Sequence, residues 1–405
     1  MVMRHLITLL LVISSVSAYG WDATLRIDYI FSGTDRSSEI SLKEMKRVEG
    51  WAGRRCNMDK VPLRGNGQIF LYDAENGNVL YRNSFSTLFQ EWQTTEEATH
   101  IRKAFENTFL LPMPDRKAVV KIEIYDLYGN ICASLRHDVD PADILIRPSC
   151  RRIPQHRYVH RSGTPEECID IAIVAEGYAS EDMAQFYKDA EDAAGAILSH
   201  SPFSDYKDCF NFVAVALESE ESGVSVPGSG IWKNTALGSH FDTFRMDRYL
   251  TTGNICDLHD SLSGIPYEHI VILANTDVYG GGGIYNSYTL TTAHHPHFTP
   301  VIVHEFGHSF AGLADEYFYD DMYVEFYYPE VEPWEQNITT LADFGSKWKD
   351  MLDSGEAELL EGAGYQSKGV YRGSEDCRMH TNKAAGFCSV CRRAIVRMIK
   401  FHIEK

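Results

Sequence analysis

The pattern of apolar and polar positions changes character part-way along the chain. From Asp22 to about Pro148 apolar residues alternate with polar ones in short runs: LRIDYIF, then NGQIFLYDAENGNVLYRN around an Asn-Gly turn, then VVKIEIYDLYGNICASL. A period of two turns one face of a strand toward a core, and Asn-Gly supplies the positive φ of a tight hairpin, so this half predicts an antiparallel β-sandwich. Within it, Thr94 to Phe109, containing EEATHIRKAFENTF, carries helical spacing and predicts a helical excursion. Beyond an Arg- and Pro-containing stretch the pattern changes. CIDIAIVAEGY is a nearly unbroken apolar strand, and EDMAQFYKDAEDAAGAILSH follows it with helical spacing and an acidic start. NFVAVALES and EHIVILANT predict two more buried strands, with a helix over FDTFRMDRYLTTGN between them. Continuous apolar strands joined by helices predict an α/β half built on a mixed sheet. The expected class is α+β to α/β, divided into a leader at 1–20, a β-sandwich domain at 21–148, a linker at 149–166 and a second domain at 167–405.

The leader changes the picture of where the chain works. Arg4 and His5 precede an apolar run, Leu6 to Ile13, and small residues follow through Val16-Ser17-Ala18, the pattern of a cleaved signal peptide. The run is too short to span a bilayer, and no later segment approaches transmembrane length. Export to the periplasm or the medium is expected. The balance of 57 acidic against 38 basic side chains, a net charge of −19, disfavours nucleic acid and anionic membrane surfaces as partners. In an oxidising compartment the nine cysteines favour bridges over free thiols. The pair Cys388-x-x-Cys391 lacks a second CxxC and a thioredoxin-type setting, so a structural disulfide is expected there rather than a redox or zinc motif.

Candidate chemistry concentrates in VIVHEFGHSFAGLADEY, residues 301–317. In a helix His304 and His308 share one face one turn apart, so both imidazoles can bind a single zinc ion. Glu305, next to the first histidine, then becomes the general base that takes a proton from water and passes it to a leaving amine. Gly312 ends the helix and lets the chain reverse, so that Asp315, with Glu316 as the alternative, supplies a third ligand. Upstream, Gly281, Gly282 and Gly283 lie in a YGGGGIY run with no Gly-Lys-Ser/Thr behind it, which excludes a nucleotide loop. They suggest an edge strand along which an extended peptide substrate pairs. His294, His295 and His297 precede the helix in a Pro-containing loop and are not taken as ligands.

The motif is a variant of the metzincin arrangement, with three residues instead of two between His308 and Gly312 and Asp315 in place of the third histidine. HEFGHSFAGLADEY resembles the IgA-peptidase family of bacterial zinc metallopeptidases, as do IAIVAEGYASEDM, PFSDYKDCFNFVAV, FDTFRMDRYL, YGGGGIYNSY and FCSVCRRAI. The first half resembles the β-domain that precedes the peptidase in that family. The resemblance implies a metzincin-like catalytic domain with one Zn2+, protein or peptide substrates, and Met379 in DCRMH as the methionine that packs beneath the histidines. A secreted zinc endopeptidase is the leading expectation. A glycan- or host-protein-binding protein on a peptidase-like fold and a zinc amidase acting on cell-wall peptides are the rivals. An intact Glu305 opposes the first, whereas the ligand pattern alone does not separate amidase from endopeptidase.

Overall fold

The computed structural model describes residues 22–149, 153–320 and 326–404; the leader, Cys150 and part of the expected linker lie outside the described residues. The first half contains β1 (Ala23–Thr34), β2 (Ser37–Glu49), β3 (Gly67–Asp73), β4 (Val79–Phe85), α1 (Leu88–Trp92), β5 (Lys103–Pro112), β6 (Ala118–Tyr125), β7 (Ile131–Val139) and the two-residue β8 (Arg147–Pro148). They form two four-stranded sheets, ordered β5-β1-β2-β8 and β4-β3-β6-β7, antiparallel apart from the short β2–β8 pair. Leu25, Ile27, Tyr29 and Phe31 of β1 meet Ile69, Leu71, Val120, Ile122 and Ile124 of the other sheet in one apolar core, as the alternation requires. The helical excursion is corrected. Helix ends at Trp92, a 3₁₀ turn covers Glu96–Thr99, and Lys103–Pro112 is a strand paired antiparallel with β1 from Gly33–Lys103 to Thr24–Pro112. Pairing along that whole edge outweighs a local helical period.

In the second half come β9 (Gln155–Arg161), β10 (Ile169–Glu176), α2 (Met183–Leu198), β11 (Phe210–Ala216), α3 (Ile255–Ser261), β12 (His269–Ala274), β13 (Gly281–Ile284), β14 (Tyr288–Thr292) and α4 (Phe298–Ala311). The sheet order is β13-β14-β12-β10-β11-β9, with a parallel centre and antiparallel strands at both edges. The stretch read as linker thus contributes an edge strand, β9. Around 241–254 there is no helix but a 3₁₀ turn at Thr243–Arg245, with Asp242, Phe244 and Arg245 at positive φ. This segment is held instead by backbone bonds to its neighbours, His240 with Thr251 and Leu250 with Gly281.

The chain closes with β15 (Phe318–Tyr319), β16 (Ile338–Thr339), α5 (Lys349–Ser354), β17 (Leu360–Ala363), β18 (Tyr365–Arg372) and α6 (Ser389–Ile403), the four strands forming a small separate sheet around β18. α4 lies on one face of the six-stranded sheet with α2 and α6 against it. Its Ile302, Val303, Phe306 and Phe310 are fully buried with Phe186, Phe203, Phe210 and Ile395. Each such side chain stabilises the fold by about 1.5–3 kcal/mol relative to exposure, so the helix carrying the HExxH motif is rigidly seated. No described helix is long and apolar enough to cross a membrane.

The two halves are fastened by charge. Alternation puts Arg26 and Asp28 on the face of β1 opposite the sandwich core, where both are buried. Arg26 pairs with Asp28 at 2.9 Å and with Asp260 of α3 at 2.5 Å, and Lys46 of β2 reaches the same Asp260 oxygen at 2.7 Å. Burial opposes ionisation of Asp260, but Lys46 and Arg26 together hold its pKa below the ordinary value. Its contribution is therefore present above the ordinary carboxylate range and is lost as pH falls through the lowered pKa. Arg26→Ala leaves the buried Asp28 and the half-buried Asp260 short of their counter-charge. A loss of about 3–5 kcal/mol of stability is expected, read as a lower urea midpoint.

A cavity of about 270 Å³ opens between the halves, lined by Arg26, Trp51, Tyr81, His259, Glu268 and His402. The residues of the HExxH motif do not line it.

Candidate active site

α4 presents His304 and His308 side by side, and the reversal after it returns Asp315 to the same point. The Nε2 atoms of the two histidines are 3.0 Å apart, and Asp315 Oδ1 lies 3.0 Å from one and 3.3 Å from the other. The Glu305 carboxylate has an oxygen within 4.8 Å of both ring nitrogens. The tautomers follow from the far side of each ring. His304 Nδ1 is 2.9 Å from the carbonyl of Arg378 and His308 Nδ1 is 2.5 Å from that of Leu313, and a carbonyl can only accept. Both Nδ1 atoms therefore carry a proton, and in the neutral ring Nε2 is left to present its lone pair. Asp315 Oδ1 is buried and receives no well-directed hydrogen bond from any described residue. With both rings neutral, three acceptors face one another here, an arrangement that fits a cation.

Each support of this cluster has a local cause. Gly312 takes the left-handed conformation (φ 59°, ψ 36°) and caps α4 through bonds from its own N–H and that of Leu313 to His308 and Gly307. A Cβ at this position would stand 2.6 Å from Trp334 and 2.8 Å from Leu63. Gly312→Ala combines that clash with a strained φ, so it costs more than about 1 kcal/mol and moves Asp315; thermal unfolding with metal titration measures both. Asp315 Oδ2 accepts a hydrogen bond from the Tyr365 hydroxyl. Extended chain sends neighbouring side chains opposite ways, so Glu316 points away from the histidines into a cluster of cysteines. Of the two acids it is Asp315 that the structure brings to the histidines.

Met379 is fully buried, and its sulfur lies 2.9 Å from where a Cβ on Gly307 would be, directly behind the helix turn that bears the two histidines. Its carbonyl accepts the N–H of Glu316 at 2.8 Å, tying this segment to the third acidic arm. The glycines at 281–283 do form an edge strand, β13, but not the open edge expected at its start. Gly281 donates to the Arg248 carbonyl and accepts from Leu250 N–H, so its outward groups are taken by the chain itself. The glycines serve close approach instead: a Cβ on Gly281 would meet the Glu305 side chain at 3.0 Å, and one on Gly283 would meet the Glu305 carbonyl at 2.3 Å. Of the loop histidines, His294 bonds to Asp189 rather than to the cluster. Trp334, from the aromatic loop after residue 325, packs on Tyr285 and against Gly312, beside the site.

Residues 158–358 and 356–399 match the family model described as IgA Peptidase M64, and residues 16–136 match the one described as Peptidase M64 N-terminus. The chain belongs to the IgA peptidase M64 family. Comparison with curated proteins returned no match. Membership makes the chain a peptidase, with protein as its substrate class, and gives the cluster on α4 a chemical context.

Several residues around the site of this M64 peptidase are not legible in the motif. Tyr365 lies 50 residues beyond Asp315 in sequence. Arg248 bonds Tyr319 OH at 2.9 Å, lies over the Tyr317 ring, and acts electrostatically on Glu305. Glu91 comes from α1 of the N-terminal half and accepts a hydrogen bond from Tyr249. Burial pushes Glu91 up to about 7, the Tyr249 bond and His308 pulling down while Asp315 and Glu305 push up, so the β-domain feels the charges of the site. Burial also raises the Glu305 carboxyl above its ordinary range, against the opposing pull of His304 and His308. The only sequence signal here was the family-like character of FDTFRMDRYL, which contains Arg248 and Tyr249 and assigned them no roles; Tyr365 and Glu91 lie outside every segment that carried the resemblance.

Proposed function

We propose that the chain is an exported zinc endopeptidase in which His304, His308 and Asp315 hold one Zn2+ and Glu305 is the general base. The observation that carries this reading is the convergence of two imidazole lone pairs and an orphaned carboxylate oxygen on one point. Two imidazoles and a carboxylate are a donor set that suits zinc. Donors bound tetrahedrally at about 2.0–2.1 Å lie about 3.3 Å from each other, close to the spacings of 3.0 to 3.3 Å found here. Bound zinc supplies a Lewis acid that acidifies water and polarises the scissile carbonyl. Glu305 accepts the proton of the attacking water and delivers it to the leaving amine. The carbonyls of Arg378 and Leu313 hold the histidine tautomers, Tyr365 fixes Asp315, and Met379 backs the helix. Export rests on the first twenty residues alone.

The test is digestion of an unfolded protein and, separately, of peptidoglycan by the full chain, before and after chelation and again after zinc is restored. Zinc-dependent cuts in the protein are expected. Release of cell-wall peptides with the protein left intact would move the reading to an amidase, and failure on both with zinc bound would favour a binding role.

A further inference from the structure

Behind the histidine site lies a second group of metal-ligating side chains: Glu316, Cys377, Cys388 and Cys391, all buried, with one ligand atom from each within 4.8 Å of every other. We propose that these four residues form a separate, structural metal centre that takes zinc through three thiolates and one carboxylate. Cys377 Sγ lies 3.7 Å from Cys391 Sγ, and Cys391 Sγ lies 3.0 Å from Glu316 Oε1. Sulfurs bound tetrahedrally at about 2.3 Å from one zinc are about 3.8 Å apart. Glu316 is fully buried, and its second oxygen, Oε2, has no hydrogen-bond partner among the described residues. A buried carboxylate oxygen without a donor costs free energy that a cation removes.

The backbone around the cluster is arranged as it is around bound thiolates. Cys388 N–H points at Cys377 Sγ at 3.3 Å, and Cys391 N–H points at Cys388 Sγ at 3.5 Å from the first turn of α6. Asn337 Nδ2 donates to Glu316 Oε1 at 2.9 Å, fixing the carboxylate. Arg378, buried and next in sequence to Cys377, interacts electrostatically with that cysteine, while its guanidinium donates to the Asn382 and Ala384 carbonyls. The disulfide expected at Cys388 and Cys391 accounts for less: any bridge uses two of the three sulfurs and leaves a buried thiol and an orphaned carboxylate oxygen. A four-coordinate ion uses all four groups, and soft sulfur donors select zinc over calcium or magnesium.

The placement gives the centre a positioning role. Glu316 directly follows Asp315, and Cys377 directly precedes Arg378 and Met379, whose carbonyls receive His304 Nδ1 and Glu316 N–H. The ion would clamp the Asp315 arm, the Met379 segment and the start of α6 to one another from behind.

The test is made first on the unaltered full chain. Elemental analysis is expected to give two zinc ions per chain, and zinc X-ray absorption is expected to contain a sulfur shell at about 2.3 Å. With His304→Ala and His308→Ala together, one zinc is expected to remain, and Cys377, Cys388 and Cys391 are expected to resist alkylation until chelator and denaturant are added. Cys391→Ala is expected to lower the wild-type content from two to one. Absence of sulfur from the zinc spectrum of the unaltered chain would overturn the proposal whether or not any variant folds. So would a disulfide among these three cysteines in the mass of the unreduced protein.

Discussion

Asp315→Ala is expected to abolish peptidase activity together with the ion at the histidine site. Asp315 is the anionic member of the three converging donors, and the two imidazoles left behind bring no negative charge to the ion. Its neighbour cannot take over. Glu316 is directed to the cysteines, and its N–H is bound to the Met379 carbonyl, so turning it would break the chain's path at the site. The loss in zinc affinity should therefore exceed the about 10- to 100-fold that removal of an outer partner of a ligand typically costs. Tyr365→Phe removes such an outer partner, the hydroxyl bonded to Asp315 Oδ2, and is expected to fall within that smaller range. Chelator competition ranks the two variants. An Asp315→Ala chain that keeps wild-type affinity at the histidines would rule this residue out as a ligand.

Glu305→Gln separates chemistry from metal binding. Glutamine keeps the shape that fits against Gly281, where the Glu305 side chain is within 3.0 Å of a would-be Cβ, but it cannot accept a proton. Loss of the general base is expected to lower kcat by about 10²- to 10⁴-fold, with KM changed little and zinc retained. If zinc leaves with the carboxylate, Glu305 is a ligand rather than a base. Its oxygen lies close enough to the histidine nitrogens for that outcome to be informative.

The parts of the site that were legible in sequence are those fixed by local geometry. A helical period of 3.6 places His304 and His308 together whatever surrounds them, and a glycine after the last turn announces the left-handed cap at Gly312. The choice between Asp315 and Glu316 depends on which way an extended chain leaves that cap, which favours the first only once the Cys377–Met379 segment is in place. Tyr365, Arg248 and Glu91 reach the site by long-range folding, and no spacing rule links them to the motif. The grouping of the cysteines was hidden for the same reason. Cys388-x-x-Cys391 has no second CxxC, and the two residues that the fold brings to it, Cys377 and Glu316, belong to different segments. In the fold, alternating and continuous apolar runs identified the sandwich strands and the buried strands of the mixed sheet. The errors at 103–112, 155–161 and 241–254 fall where partners elsewhere in the chain, not the local period, decide the backbone.

The central claim is that Glu305 activates water at a metal held by His304, His308 and Asp315. Its most direct test is cleavage of one unfolded protein by the wild-type chain and by Glu305→Gln at matched zinc content, with new termini counted by mass spectrometry. Many new termini with the wild type and almost none with the zinc-loaded variant are predicted. Equal cleavage by the two would contradict the account and place the chemistry elsewhere in the chain.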